Sequence, residues 1–155
     1  MNTASWNKRE LPLEKMMPII TEHLNNGCDV VISPKGISML PMLRQGKDTV
    51  TLSPVKNKLK KYDIPLYKRD DGSYILHRIV AIKNGYVMVG DNQFTYEKGI
   101  KQEQIIAVVS AFTRAGKTYS VNGFFYGIYC RFWHYSRPFR RILRGVLRRI
   151  KKLFS

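Results

Sequence analysis

The sequence predicts a mostly β, β-rich α+β protein: a compact, coiled or barrel-like antiparallel sheet with a short helix before it and an amphipathic helix after it. Three observations carry this. Residues 28–122 hold six or seven short β-favouring runs separated by turn chemistry. Ahead of them, apolar residues recur at helical spacing. Behind them, from Pro138, a second helical pattern sets apolar residues on one side and arginine and lysine on the other. The chain therefore divides into an N-terminal helical segment (1–27), a β-rich domain (28–122) and an aromatic, basic tail (123–155).

In "LPLEKMMPIITEHLNN" (11–26), Leu13, Met17, Ile20 and Leu24 share one helical face, and Gly27 suits a helix end. Pro18 inside the run predicts a short or kinked helix. "CDVVIS" (28–33) is short and β-branched, and "DTVTL" (48–52) alternates. "DIPLYKR" (63–69) and "YILHRIVAIK" (74–83) flank "DDGS", a hairpin signal. "GYVMVG" (85–90) follows directly on "KNG", another turn. "QIIAVVSAFTR" (104–114) and "KTYSVN" (117–122) form a last hairpin around Ala115-Gly116. The basic stretch "SPVKNKLKKY" (53–62) reads as a solvated connector. In the tail, Phe139, Ile142, Leu143, Val146, Leu147, Ile150 and Phe154 recur at three- and four-residue steps. Arg140, Arg141, Arg144, Arg148, Arg149, Lys151 and Lys152 fall largely on the rest of that wheel.

A chain of 155 residues can bury a core, and 44% hydrophobic with 25% charged residues excludes a disordered class. The net charge of +16 predicts attraction to a polyanion, either nucleic acid or an anionic membrane face. The excess is concentrated: Arg131 to Ser155 holds nine Lys/Arg and no acid. The opening "MNTASWNKRELPLEK" is polar where a signal peptide needs an apolar region, and no run reaches the ~18–20 apolar residues of a membrane span. A cytoplasmic protein, peripheral on the inner face of a membrane, is the expectation. Cys28 and Cys130 lie far apart and outside any CxxC, which predicts two reduced, mostly buried thiols and no metal site.

One stretch bears chemistry. "ISPKGISMLPMLRQGKDTV" (32–50) sets Ser38 on a turn stiffened by two prolines. A serine hydroxyl is a poor nucleophile unless a base within hydrogen-bond reach takes its proton. Histidine titrates in the right range, and His23, His77 and His134 are the only three. His77 alone sits in a strand of the β body, where alternation puts Ile75, His77 and Ile79 on one face and Leu76, Arg78 and Val80 on the other. A histidine on such a face can equally be a satisfied core residue, Ser38 a tight corner, and Asp91-Asn92 an ordinary turn.

Taken in order, "G-x-S-M-x-P-x-L-x-x-G", "HRIV" and "GDN" resemble the signal peptidase I superfamily, which includes the LexA-type self-cleaving repressors; the resemblance runs from about Val31 to Val109. It implies the coiled β catalytic fold of that superfamily. It implies Ser38, in Ser38-Met39-Leu40-Pro41, as nucleophile. Gly46 and Asp48 approximate the Gly-Asp that follows, and Tyr62-Asp63 a second such box. His77-Arg78-Ile79 stands where bacterial enzymes and repressors carry lysine, so the chain is similar to the histidine type of the endoplasmic reticulum, archaea and sporulation. An acid in or after "GDN" completes the set. Asp91 keeps the motif and Glu97 stands six residues on; both are candidates to orient His77. Gly36 replaces a hydroxyl that often helps the Ser38 N–H hold the oxyanion, which predicts a slow or specialised enzyme. An extended peptide would lie along strand edges near Ser38, with Gly36, Ile37, Met39, Ile32, Leu76 and Ile79 as substrate-binding positions. The chemistry calls for no cofactor.

The usual membrane span and the repressors' DNA-binding helices find no counterpart in the sequence; the basic tail takes their place. It reads as an anionic membrane anchor, as a helix packed on the body, or as a nucleic-acid contact, the last disfavoured by the lack of any groove-reading motif. Two functions follow. One is a membrane-peripheral serine endopeptidase that cuts a specific peptide or protein precursor. The other is a weak or inactive peptide- or lipid-surface-binding module that retains the fold.

Overall fold

The computed structural model describes residues 12–154; Leu11, the polar opening stretch and Ser155 lie outside them. The helical face predicted at the start folds as α1 (Leu13–Asn25), which runs through Pro18 and buries Met17, Ile20 and Leu24. Gly27 closes it at φ +79, a left-handed conformation that suits glycine.

Among the described residues nine strands follow: β1 (Val30–Ile32), β2 (Thr49–Ser53), β3 (Pro65–Lys68), β4 (Tyr74–Leu76), β5 (Arg78–Ile82), β6 (Tyr86–Val89), β7 (Glu97–Ile100), β8 (Ile105–Arg114) and β9 (Lys117–Ser120). They make two open antiparallel sheets. The larger runs β1-β2-β8-β3-β4, with β9 added on β8; the smaller is β5-β6-β7. Predicted turn chemistry sets the hairpins. Asp71 accepts hydrogen bonds from the Ser73 backbone and hydroxyl between β3 and β4. Asn84 and Gly85 both have positive φ between β5 and β6, as do Ala115 and Gly116 between β8 and β9.

Alternation decides the core. Val50 and Leu52 of β2 point inward, together with Leu66, Ala107 and Val109 and the buried face of α1. Tyr67, Ile79, Tyr86 and Met88 form a second cluster around the smaller sheet.

Several expectations need correction. The run 74–83 is two strands in different sheets, parted at His77. Leu76 still pairs with Leu66, but Ile79 exchanges backbone hydrogen bonds with Tyr62 and Asp63, and Arg78 pairs with Val89. Residues 97–100, outside every predicted strand, form one: Glu97 opens β7. The aromatic stretch is a helix, α2 (Phe124–Tyr135), followed by α3 (Arg137–Leu153). With 31% helix and 29% strand, the protein is mixed α+β and not mostly β. Among the described residues, no helix is long and apolar enough to cross a membrane.

Candidate active site

The Ser38 turn is built from its own neighbours. Gly36 takes φ +82, and its N–H donates to Gln45 Oε1 at 3.0 Å. Asp48, fully buried, accepts from the Arg44 backbone N–H at 2.9 Å and from the guanidinium Nη2 at 2.8 Å, closing the far end of the loop. That pairing with Arg44 holds the Asp48 carboxyl below its usual range against the opposing effect of burial. Met39, Met42 and Leu43 sink into the main core and leave Ser38 half-buried.

His77 sits where the chain changes sheets. Its Nδ1 lies 3.0 Å from Glu97 Oε1 and 3.3 Å from the Tyr67 hydroxyl. Glu97 is gripped in turn by Arg69, whose Nε donates to Oε2 at 2.7 Å. Burial pushes the Glu97 carboxyl up, but hydrogen bonds from Arg69 and Tyr67 outweigh it and hold the group below its ordinary value. For the imidazole, burial is the strongest influence. It depresses the pKa despite the opposing charge of Glu97.

The other ring nitrogen faces the serine turn. A Cβ placed on Gly90 would lie 3.1 Å from His77 Nε2 and 2.6 Å from the Ser38 carbonyl oxygen. Those atoms therefore converge on one point, and only a glycine leaves room for them. Asn92 fastens the junction: its N–H donates to Ser38 O at 2.8 Å and its Nδ2 to Ile37 O at 3.2 Å.

Asp91 does something else. Its carboxylate takes a two-pronged ion pair from Arg78, with Nε–Oδ1 2.8 Å and Nη2–Oδ2 2.7 Å, both residues buried. Arg78 also reaches the Tyr126 hydroxyl, Cys130 Sγ and Met42 Sδ. Burial works against its charge, but Asp91 more than compensates and keeps it protonated. Of the two candidate acids, Glu97 is the one at the imidazole.

The substrate-binding positions divide. Ile32 and Leu76 line a groove of about 630 Å³ between α1, β1 and β4, together with Leu13, Met16, Val31 and Tyr74. Ser33, Pro34 and Lys35 carry its wall towards Gly36. Ile37 is exposed, at 64%. Met39 and Ile79, at 4% and 0%, are core residues that no substrate can touch, because each points from its turn or strand into a packed cluster. His23 lies exposed on α1 with Nδ1 2.9 Å from Ile19 O, and His134 stacks edge-on against Tyr62; neither belongs to the site.

The tail divides too. Arg141, Arg148, Arg149, Lys151 and Lys152 are exposed. Arg140, half-buried, and Arg144, itself exposed, bond back onto the Asp91–Asn92 loop. On α2, Tyr126, Tyr129 and Trp133 face the body: Tyr129 donates to Asp91 Oδ2 and Trp133 Nε1 to Asp91 O. Of the two free thiols, Cys130 is buried and Cys28 is exposed.

Arg69, Tyr67, Gly90 and Asn92 were not singled out from the sequence. Gly90 and Asn92 flank Asp91 in the motif and could have been. Tyr67 and Arg69 lie on the strand hydrogen-bonded to β4 or just past it, so the predicted hairpin already brought them near His77. No family model, curated protein or solved structure matches the chain.

Proposed function

We propose that the protein is a serine endopeptidase of the histidine-type signal peptidase kind, working at an anionic membrane surface. One observation carries the reading: His77 turns Nδ1 to Glu97 and Nε2 to the point where the Ser38 turn meets Gly90. In this reading Ser38 Oγ attacks the peptide carbonyl and His77 Nε2 takes its proton. The imidazolium is stabilised by Glu97 and then returns the proton to the leaving amine. In the same reading the Ser38 N–H is the donor for the developing oxyanion, and with Gly36 in the hydroxyl position the hole is short of a side-chain donor.

The groove beside Ile32 and Leu76 suits an extended peptide. Among the described residues β1, β4 and β9 each pair with a single strand of the larger sheet, and β1 and β4 border the groove, so an added strand could pair with either of these two. The surface partner follows from the tail. Phe124, Phe125, Ile128 and Phe132 on α2, and Phe139, Ile142, Val146 and Leu153 on α3, are exposed, with Phe124 at 77% and Phe125 at 83%. Exposed aromatic and aliphatic residues beside seven exposed cations on the same two helices fit an anionic bilayer. The reading makes the protein cytoplasmic and membrane-peripheral.

The experiment incubates the wild-type chain and Ser38→Ala with a proteome-derived peptide library in the presence of anionic vesicles. Products made by the wild type and absent with Ser38→Ala are expected. Identical products from both would remove Ser38 as nucleophile. No wild-type cleavage would favour a peptide- or lipid-binding module on the same fold.

A further inference from the structure

The tail reaches the catalytic turn through two residues. Trp133 Nε1 donates to Asp91 O at 2.8 Å, and Arg140 Nη1 donates to the same carbonyl at 3.2 Å. Arg144 Nη1 donates to Asn92 O at 3.2 Å and its Nη2 to Asn92 Oδ1 at 2.6 Å. On its other side Asn92 holds Ser38 O and Ile37 O. Both ends of the Asn92 side-chain amide are thus committed, one to the tail and one to the nucleophile turn. The two arginines are themselves braced. Arg140 lies 3.7 Å over the Trp133 ring and donates to Trp133 O at 2.7 Å, while Arg144 stacks on Phe94 at 5.0 Å.

An anchor needs none of this. Arginines that serve only to meet lipid headgroups need no such bonds; Arg140 is half-buried, and Arg144, though exposed, commits its guanidinium to Asn92. We propose that Arg140 and Arg144 are positioning residues, which act through Asp91 and Asn92 to set Ser38 against His77. The tail is then part of the catalytic machinery as well as its attachment. The proposal rests on the peptidase reading. Its physical basis is that reactive groups displaced by about 1 Å can lose roughly 10²-fold in rate while binding is retained.

The test uses the full chain without vesicles, so that anchoring plays no part. Arg144→Ala and Asn92→Ala are compared with the wild type on a peptide the wild type cleaves. The expected result is a kcat lower by roughly 10- to 100-fold with KM little changed. Arg144→Lys keeps the charge but not the two-pronged grip, and should recover part of the loss. Wild-type kcat in both alanine variants, or a loss confined to KM, would overturn the proposal. Amide hydrogen exchange of residues 36–43 is the second measurement. It should quicken in Arg144→Ala while α1 is unchanged; unchanged protection of 36–43 overturns the clamp even if no peptide is ever cleaved. Failure of the wild type to cleave would instead strike the peptidase reading.

Discussion

His77 is pulled two ways, and burial wins over the charge of Glu97. The imidazole therefore stays neutral to lower pH than the ordinary value of about 6.5. On the peptidase reading His77 is the general base, and a general base acts in its neutral form. Activity should thus rise with pH through a limb centred below about 6.5 and then level off. Glu97→Gln removes the influence that lifts the imidazole, so the limb should shift further down and the neutral-pH rate should fall roughly 10²-fold or more. Its fold should survive, since the Arg69–Glu97 pair is partly exposed and such pairs are worth about 1 kcal/mol or less. Asp91→Asn should behave differently. It strands the buried Arg78 charge, which costs about 3–5 kcal/mol, read as a lowered urea midpoint. Equal stability losses in the two variants, or a limb near pH 9, would contradict these roles. The sequence offered both acids. It could not choose, because the choice turns on which carboxylate meets a ring that neither adjoins in the chain.

At the scale of elements, the junction is the exit of β6. Gly90 is the last residue before the Asp91–Asn92 loop, and it leaves the space in which the serine turn approaches the imidazole. Gly90→Ala would press a methyl against Ser38 O at 2.6 Å, and that atom is backbone, so it cannot swing aside. Overpacking of this kind costs about 1–3 kcal/mol. On the peptidase reading the variant should remain folded by circular dichroism but lose most of its activity; full activity would show that the junction tolerates the shift. Elements were legible where their signal was local. The stripe of α1, the β3–β4 hairpin and the Asn84-Gly85 turn were all readable. β7 was not, because only Ile100 of its four residues is buried and Gly99 sits at φ +75, so there is no alternation to see. The inward face of α2 carried a signal that went unread. Tyr126, Tyr129, Cys130 and Trp133 stand at three-, four- and seven-residue offsets, a helical face hidden by aromatics on every side.

Over the whole molecule, charge and apolar exposure coincide on the two C-terminal helices. Each basic residue near an anionic surface contributes about 1 kcal/mol, an effect that salt screens. The exposed apolar side chains contribute a part that salt does not remove. The full chain should co-sediment with phosphatidylglycerol-containing vesicles at low ionic strength and bind more weakly, without full release, near 1 M salt. Equal binding to neutral vesicles would argue against the cations. No binding at low salt would leave α2 and α3 without their proposed surface.

By itself, the sequence determined the local pieces: the helical stripes, the turns, a serine on a rigid loop, one histidine in the β body and a basic tail. These are set by side chains a few residues apart, through periodicity and backbone preference. Tertiary structure alone decided how the pieces meet. The change of sheet at His77 aimed its ring at Gly90 and Glu97, sent Ile79 into the core, and freed Asp91 to pair with Arg78. The packing of α2 against that pair then brought Arg140 and Arg144 onto the loop that holds Ser38. Such contacts join residues tens of positions apart, and their distances come from sheet register and burial, which no local pattern records.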